Sequence, residues 1–332
     1  MKKFLILAVA FAASSTTASA QVNSQCPPGD PGSNTRIAQD ACQKAIDLFQ
    51  YVAPQLGALL AGGNPTQGLT GTLGGVGHFS VGVRGNVMTT SLPEVDKVVP
   101  STTGAVSSTY PLKDQLFGLP VADVAIGLVR GFDLGLTQTG GVDLLLSGSV
   151  IPSYDKGSIT VDVPSGSLKL GYGVKLGLLK ETLLVPGVSL SVLTRELPLV
   201  NITGESGNDR LILDDVRVKS TSWRAVAGKS FLFFGIAGGF GRDSYDSNAR
   251  ISVTVAPRPL TQGGSGGPIA LTQKLTRNNV FSSAWLKLPF LRIVGELGHS
   301  SGGDAIATFN QFEGGKPNDG RTYFSLGASA GF

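Results

Sequence analysis

The chain has 332 residues, of which 41% are hydrophobic and only 15% charged, with a formal net charge of +4. No basic cluster is interleaved with aromatics, which argues against a nucleic-acid partner. Two cysteines and two histidines, far apart in sequence, are a poor set for a closed four-ligand zinc site, so no metal and no cofactor are expected.

Lys2 and Lys3 precede an apolar run over 4–13 and a small-residue stretch ending Ala18-Ser19-Ala20. This is the pattern of a secretory signal peptide with an A-x-A cleavage site, so residues 1–20 are expected to be removed. That loss takes away both lysines and lowers the net charge from +4 to +2. Gln21 follows the cut, so no lipid anchor on a cysteine is expected.

Residues 21–75 read as a separate N-terminal piece. An exported protein with one pair of cysteines usually joins them, so Cys26 and Cys42 are expected to form a disulfide. Asn34 or Thr35 can cap a helix running to about Leu60, along which Ile37, Ala41, Ala45, Phe49, Val52 and Leu56 recur at helical spacing. Pro54 is expected to kink or divide it. A Gly-rich connector over 62–77 follows. A helix this apolar is poorly suited to water, so the segment reads as a plug inside whatever follows, a plain tether being the alternative.

Beyond the signal, no apolar run approaches the roughly 20 residues of a membrane helix. The apolar residues come instead in short alternating bursts, and closed barrels are the other way to cross lipid. The expected fold is all-β, an antiparallel transmembrane β-barrel over 76–332. Ten strands can be laid at about 77–88, 120–134, 141–152, 166–179, 187–198, 215–228, 231–243, 278–288, 290–299 and 321–332. Twelve or fourteen result if 104–112, 158–164 and 250–256 join the wall. In the first strand Phe79, Val81 and Val83 face out, and Ser80, Gly82 and Arg84 face in. Turns near 140, 229–230 and 289 are short, whereas 89–119, 200–214, 244–277 and 300–320 read as long loops, with 250–255 a hairpin extension above the membrane. An even strand number returns the C-terminus to the periplasmic side, where the N-terminal piece is also expected.

The inward parity collects Arg84, Lys169, Lys175, Arg217, Lys219, Lys287 and Arg292 against Asp123, Asp143, Asp215 and Glu296. An interior of this size is filled by side chains or holds one small ligand. It is then either a salt-bridged, packed core or a narrow conduit whose positive excess favours an acidic or amphipathic solute.

The last strand alternates from Tyr323 to Phe332, with Phe324, Leu326, Ala328, Ala330 and Phe332 on one face. It resembles the closing strand of bacterial outer-membrane barrels, which implies that Phe332 is read by the barrel assembly machinery. A signal peptide, a helical segment ending Gly63-Asn64-Pro65-Thr66, a Gly-rich entry, a barrel and a terminal Phe make a further likeness. Together they resemble the outer-membrane transporters of long-chain fatty acids and other hydrophobic compounds, and uncharacterised barrel families near them. The resemblance implies an N-terminal hatch in which Asn64 and Pro65 match the family's Asn-Pro-Ala motif, Thr66 replacing Ala. It also implies a hydrophobic small-molecule solute that leaves sideways into the bilayer.

His299, Ser301 and Glu313 have the spacing of the set found in lipid A deacylase barrels, and would hydrolyse acyl esters if the hydroxyl met the imidazole. A chance match in a Gly/Ser-rich loop is the plainer reading, and an enzyme is not expected. Asp243, Asp246 and Asn248, or Glu205 and Asp209, could hold Ca²⁺ through oxygen, with solvated loop carboxylates the alternative. The expectation is thus a barrel in the outer membrane of a Gram-negative-type bacterium, a passive conduit for hydrophobic or amphipathic small molecules. The alternative is a structural or surface-binding barrel, and a lipid esterase comes third.

Overall fold

The computed structural model describes residues 21–30, 35–66, 68–156, 159–259 and 262–331. The expected signal peptide, the expected Asn34 cap and Phe332 lie outside them. One long helix, α1 (Thr35–Ala61), precedes an antiparallel sheet of thirteen strands, more than the ten expected. Ten of the thirteen form a ring in chain order: β1 (Phe79–Pro93), β2 (Leu112–Val129), β3 (Gly141–Val150), β4 (Leu168–Leu179), β5 (Gly187–Glu196), β6 (Asp209–Ser230), β7 (Phe234–Val255), β8 (Gly264–Lys287), β9 (Arg292–Ser300) and β10 (Arg321–Gly331). Each pairs with its neighbours in sequence. The ring closes where β1 meets β10, with Val81 opposite Ala330, and stays unbroken where β5 meets β6, with Leu190 opposite Ala225. The other three strands, 200–206, 159–162 and 154–156, continue the sheet from the upper part of β6.

The turns at 130–140, 180–186, 231–233 and 288–291 gather at one end, and the longer connections at the other. β7 has 22 residues and β8 has 24, about twice the 9–11 that a tilted strand needs to cross a bilayer. The segment expected as a loop over 244–277 is therefore mostly wall, and 109–110 pairs only with 311–312, apart from the ring.

Polarity inverts along that wall. Towards the short turns, Val83, Tyr172, Ile236 and Leu326 are exposed on the outside while Arg84, Asp123 and Lys175 are buried inside. Towards the long loops, Arg250 and Lys274 are exposed outside. There the inner face is apolar: Val216, Ala249, Ile251, Val253 and Leu271 pack on Ile37, Ala41, Ala45 and Phe49 of α1. Arg217 and Lys219 consequently lie on the outer face, not in the lumen as expected. A bulge between Asp214 and Arg217, with Asp215 at φ 52°, inserts one residue and flips the parity of everything after it.

α1 lies inside the ring against β6, β7 and β8, with further contacts to β1, β2, β5 and β10. Pro54 does not divide it. A proline removes the N–H that would bond the carbonyl four residues back, and here Gln273 Nε2 of β8 donates to that carbonyl, Gln50 O, at 3.0 Å. The helix starts at the long-loop end, where Cys26 is bonded to Cys42 and packs with Val253 and Ile269. The chain then runs down the lumen until Gly71 lies beside Lys180 and Glu181, and His78 O accepts the Gly127 amide next to the start of β1. The N-terminal piece thus enters at the end opposite the C-terminus, against the expectation that they share one side. The length of α1, about 40 Å at 1.5 Å per residue, carries the chain across.

Gln273→Ala should cost about 1–3 kcal/mol by orphaning the Gln50 carbonyl, visible as a lower unfolding temperature in detergent. In a Pro54→Ala background, where the helix supplies its own N–H, the same change should cost much less.

Candidate functional site: a filled lumen

An α-helix leaves its last four carbonyls without intrahelical partners and carries partial negative charge there. α1 ends in mid-barrel, where water cannot serve those groups, and the wall serves them. Arg84 Nη1 donates to Gly62 O at 2.6 Å and Asn86 Nδ2 to the same oxygen at 2.8 Å. Arg224 Nη2 donates to Ala61 O at 2.6 Å, and Arg195 Nη1 spans Leu60 O and Ala61 O at 3.2 Å each. Gly63 turns the chain out of the helix at φ +74°, where glycine is favoured, and a Cβ there would stand 1.9 Å from Arg84 Nη1.

Burying guanidiniums calls for counter-charge, and two of these three meet a carboxylate. Arg84 Nε pairs with Asp123 at 2.6 Å, and Asp123 also accepts from Ser147 at 2.8 Å. Arg224 meets Glu296 at 3.4 Å and lies 5.0 Å over the Phe281 ring. Glu296 in turn accepts from Tyr323 Oη at 3.1 Å and from the Asn64 amide at 3.2 Å. Below this tier the connector is held again. Lys175 Nζ donates to Leu69 O at 2.6 Å and to Thr66 Oγ1 at 3.2 Å, and both Asp143 oxygens accept the Leu73 amide at 3.1 Å. Helix above and connector below occupy the lumen, with open space left beside Leu69 and Leu73 at the short-turn end.

Arg84, Asp123, Asp143, Lys175 and Glu296 therefore come together around the plug. Arg292 is half-buried, its Cδ 3.1 Å from where a Cβ of Gly68 would lie. Lys169 sits at the rim, 3.6 Å from Glu196, and Lys287 is exposed beside the short turns. Arg217 also meets Glu196, at 3.2 Å on the outside. Asn64 turns its Oδ1 back onto the Thr66 amide and hydroxyl, and Pro65 is buried beside it. Arg195 and Arg224 went unread. Ser189 and Ser191 share the inward parity of Arg195 and could have revealed it, whereas Arg224 was hidden because the expectation of inward Arg217 and Lys219 sets the opposite phase.

The hydrolase set is not assembled. His299 faces outward with Nδ1 3.0 Å from Thr322 Oγ1, Ser301 Oγ donates to the Asn278 carbonyl at 3.0 Å, and Glu313 is exposed in its loop. The alternation of β9 turns the imidazole away, and Ser301 is committed to the backbone. Asp243 is buried and accepts from Asn279 at 2.6 Å, on the face opposite Asp246 and Asn248. Among the described residues no group of three or more His, Cys, Asp or Glu is placed to hold a metal.

At the long-loop end, α1 holds the loops. Asp40 pairs with Lys44 and accepts the amides of Ser101 at 2.6 Å and Val106 at 2.9 Å. Asp47 accepts from Asn310 N at 2.8 Å, Asn310 Nδ2 at 2.7 Å and Phe309 N at 3.3 Å. Burial pushes its carboxyl above the usual range, although these bonds pull the other way. Phe312 stacks on Tyr51 with ring centroids 4.1 Å apart and on Tyr110 at 5.6 Å. A cavity of about 150 Å³ remains here, lined by Lys44, Leu48, Val98, Tyr110, Leu211 and Val253 among others.

No protein-family model matches the chain, and no curated protein sequence does. Among solved structures it is similar to Ail, the attachment invasion locus protein of Yersinia pestis, at 10% identity and a TM-score of 0.31, over 77% of this chain and 99% of that one. It is also similar to the outer membrane protease OmpT from Escherichia coli, at 8% identity and a TM-score of 0.34, over 77% and 96% of the two chains. A third is an anion-selective porin from Comamonas acidovorans, at 9% identity and a TM-score of 0.18, over 77% and 98%. Likeness this distant assigns no function.

Asp47→Asn keeps one acceptor oxygen where two serve the loop, and should cost about 1–3 kcal/mol through an unpaired donor. Faster proteolytic cleavage within 301–320 would be the readout, with the barrel itself still folded.

Proposed function

We propose that the protein is an integral outer-membrane barrel of a Gram-negative-type envelope, closed to free diffusion, whose long-loop end forms a rigid recognition surface outside the cell. The observation that carries this reading is the occupied lumen: the end of α1 and the connector are hydrogen-bonded to the wall, and the same helix orders the loops above. An exposed apolar band on the outer face supports membrane insertion. It is bordered by Phe231, Phe233 and Phe290 at the short turns and by Tyr172, Trp223 and Phe240 on the other side, as aromatic girdles border lipid-facing walls. Short turns face the periplasm in such barrels, which puts Cys26 and the loops outside. Within the same proposal Phe332 is the contact for the assembly machinery, and no enzymatic role is assigned.

A second reading is a gated conduit for hydrophobic or amphipathic solutes, akin to the fatty-acid transporters. It is favoured by the open space beside the connector at the short-turn end, lined by Leu69, Leu73, Ser80 and Arg292.

An epitope placed after Gln21 should be reached by antibody on intact cells, whereas one between Leu183 and Leu184 should require permeabilised cells. The reverse pattern would overturn the orientation. In planar bilayers the intact chain should show no steady conductance, and deletion of 21–60 should open a leak if the segment is a plug. Uptake of a hydrophobic solute by cells carrying the intact chain, absent from cells lacking it, would favour the conduit.

A further inference from the structure

The outer face of β6, β7 and β8 is graded in tiers that no lumen role explains. Lowest is a shallow trough floored by Ala227, Gly238, Ser282, Ala284 and Gly295. Ala227, Gly238 and Ser282 are direct cross-strand partners, so the trough runs across three strands. Next comes the aromatic pair Trp223 and Phe240, edge to face at 5.8 Å. Arg242 is the cross-strand partner of Trp223 and is exposed just where the apolar band ends. Above it lies a row of hydroxyls, Thr221, Ser244 and Thr276, in register on the three strands. Above that, Lys219 and Lys274 flank Asp246. Lys274 contacts Asp246 at 3.9 Å, while Lys219 and Arg242 have no ion pair among the described residues.

We infer that this face binds a phosphorylated glycolipid of the outer leaflet, with acyl chain in the trough, sugar against the hydroxyl row and phosphate between Arg242 and the two lysines. The inference rests on the outer-membrane reading above. Three cations against the single carboxylate of Asp246 stand on the rows immediately above an aromatic pair, an arrangement that water alone does not call for. At a bilayer border, basic groups at headgroup height attract anionic lipid, Trp and Phe lie at the polar boundary, and small side chains leave an acyl chain room against the wall. A neutral phospholipid would use the trough but leave the cations unanswered. The hydroxyl row lies in register between Arg242 on one side and the two lysines on the other, which suits a sugar phosphate better than a small zwitterionic head.

The chain supplies its own probe. Trp223 is outward, whereas Trp285, the other tryptophan, is only 3% exposed and faces the interior. The full mature protein is placed in vesicles of phosphatidylcholine brominated on its acyl chains, which quenches Trp223, and unbrominated diphosphorylated lipid A is then added. Occupation of the site should relieve quenching about fivefold beyond the lipid A mole fraction. Dephosphorylated lipid A should relieve it only in proportion. The triple variant Lys219→Gln/Arg242→Gln/Lys274→Gln, all outward and outside the packed interior, should behave with lipid A as the native chain does with the dephosphorylated form. Lys180→Gln/Lys287→Gln, at the other end, should leave the preference intact. Proportional relief by both lipids in the native chain would overturn the site but leave the membrane barrel standing. Absence of any quenching would overturn the membrane reading itself.

Discussion

The structure turns on a helix that ends inside a membrane barrel. Carbonyls at Leu60, Ala61 and Gly62 cannot reach water at that depth, and each unsatisfied group in such a place costs several kcal/mol. Arg84, Arg195, Arg224 and Asn86 meet them from three parts of the wall. Those arginines in turn dictate Asp123 and Glu296, and Glu296 reaches back to the plug through the Asn64 amide. Wall and plug are one hydrogen-bonded unit, because the helix carbonyls and the Asn64 amide find their partners on wall residues that are themselves ion-paired.

The same helix explains why the wall changes polarity half-way up. Where lipid surrounds the barrel, its outside must be apolar and its inside carries the buried charges. Where the barrel stands in water, the rule for a soluble sheet returns, with polar groups out and Val253 or Leu271 turned onto the apolar stripe of α1. A single strand such as β7 obeys both rules in succession, apolar-out through Phe240 and polar-out from Arg242.

That change of rule sets what could be read from the sequence. In the band, alternation is unambiguous: Val81 and Val83 against Ser80 and Arg84, or Leu144 and Leu146 against Asp143 and Ser147, lie on the faces that period two assigns them. Above the band the pattern Ser244, Asp246, Asn248 and Arg250 resembles a solvated loop, because the apolar partner that makes it a wall is a helix some two hundred residues earlier. The same inversion misplaces β6, where Val216 and Val218 turn inward onto apolar neighbours, so that Arg217 and Lys219 lie outside and Arg224 inside. The apolar stripe of α1 was visible, as was the pairing of the two cysteines. The intact helix at Pro54 was not visible, because the repair comes from Gln273, a contact no local pattern encodes.

Threading the chain from the loops down to the short turns also constrains how any opening could occur. The connector joins α1 directly to β1, and β1 closes the ring against β10, so the plug cannot leave through the short-turn end without pulling on the seam. Leaving through the other end would strip the loops of Asp40 and Asp47 and break the Phe312 stack on Tyr51. Either route abandons buried arginines beside Asp123 and Glu296 without their helix carbonyls. Small local shifts leave those bonds in place and open nothing. The ordered loops and the blocked lumen are therefore two consequences of one helix, and a function that needs the first is compatible with this fold at rest, whereas a function that needs an open path must first dismantle what holds the surface together.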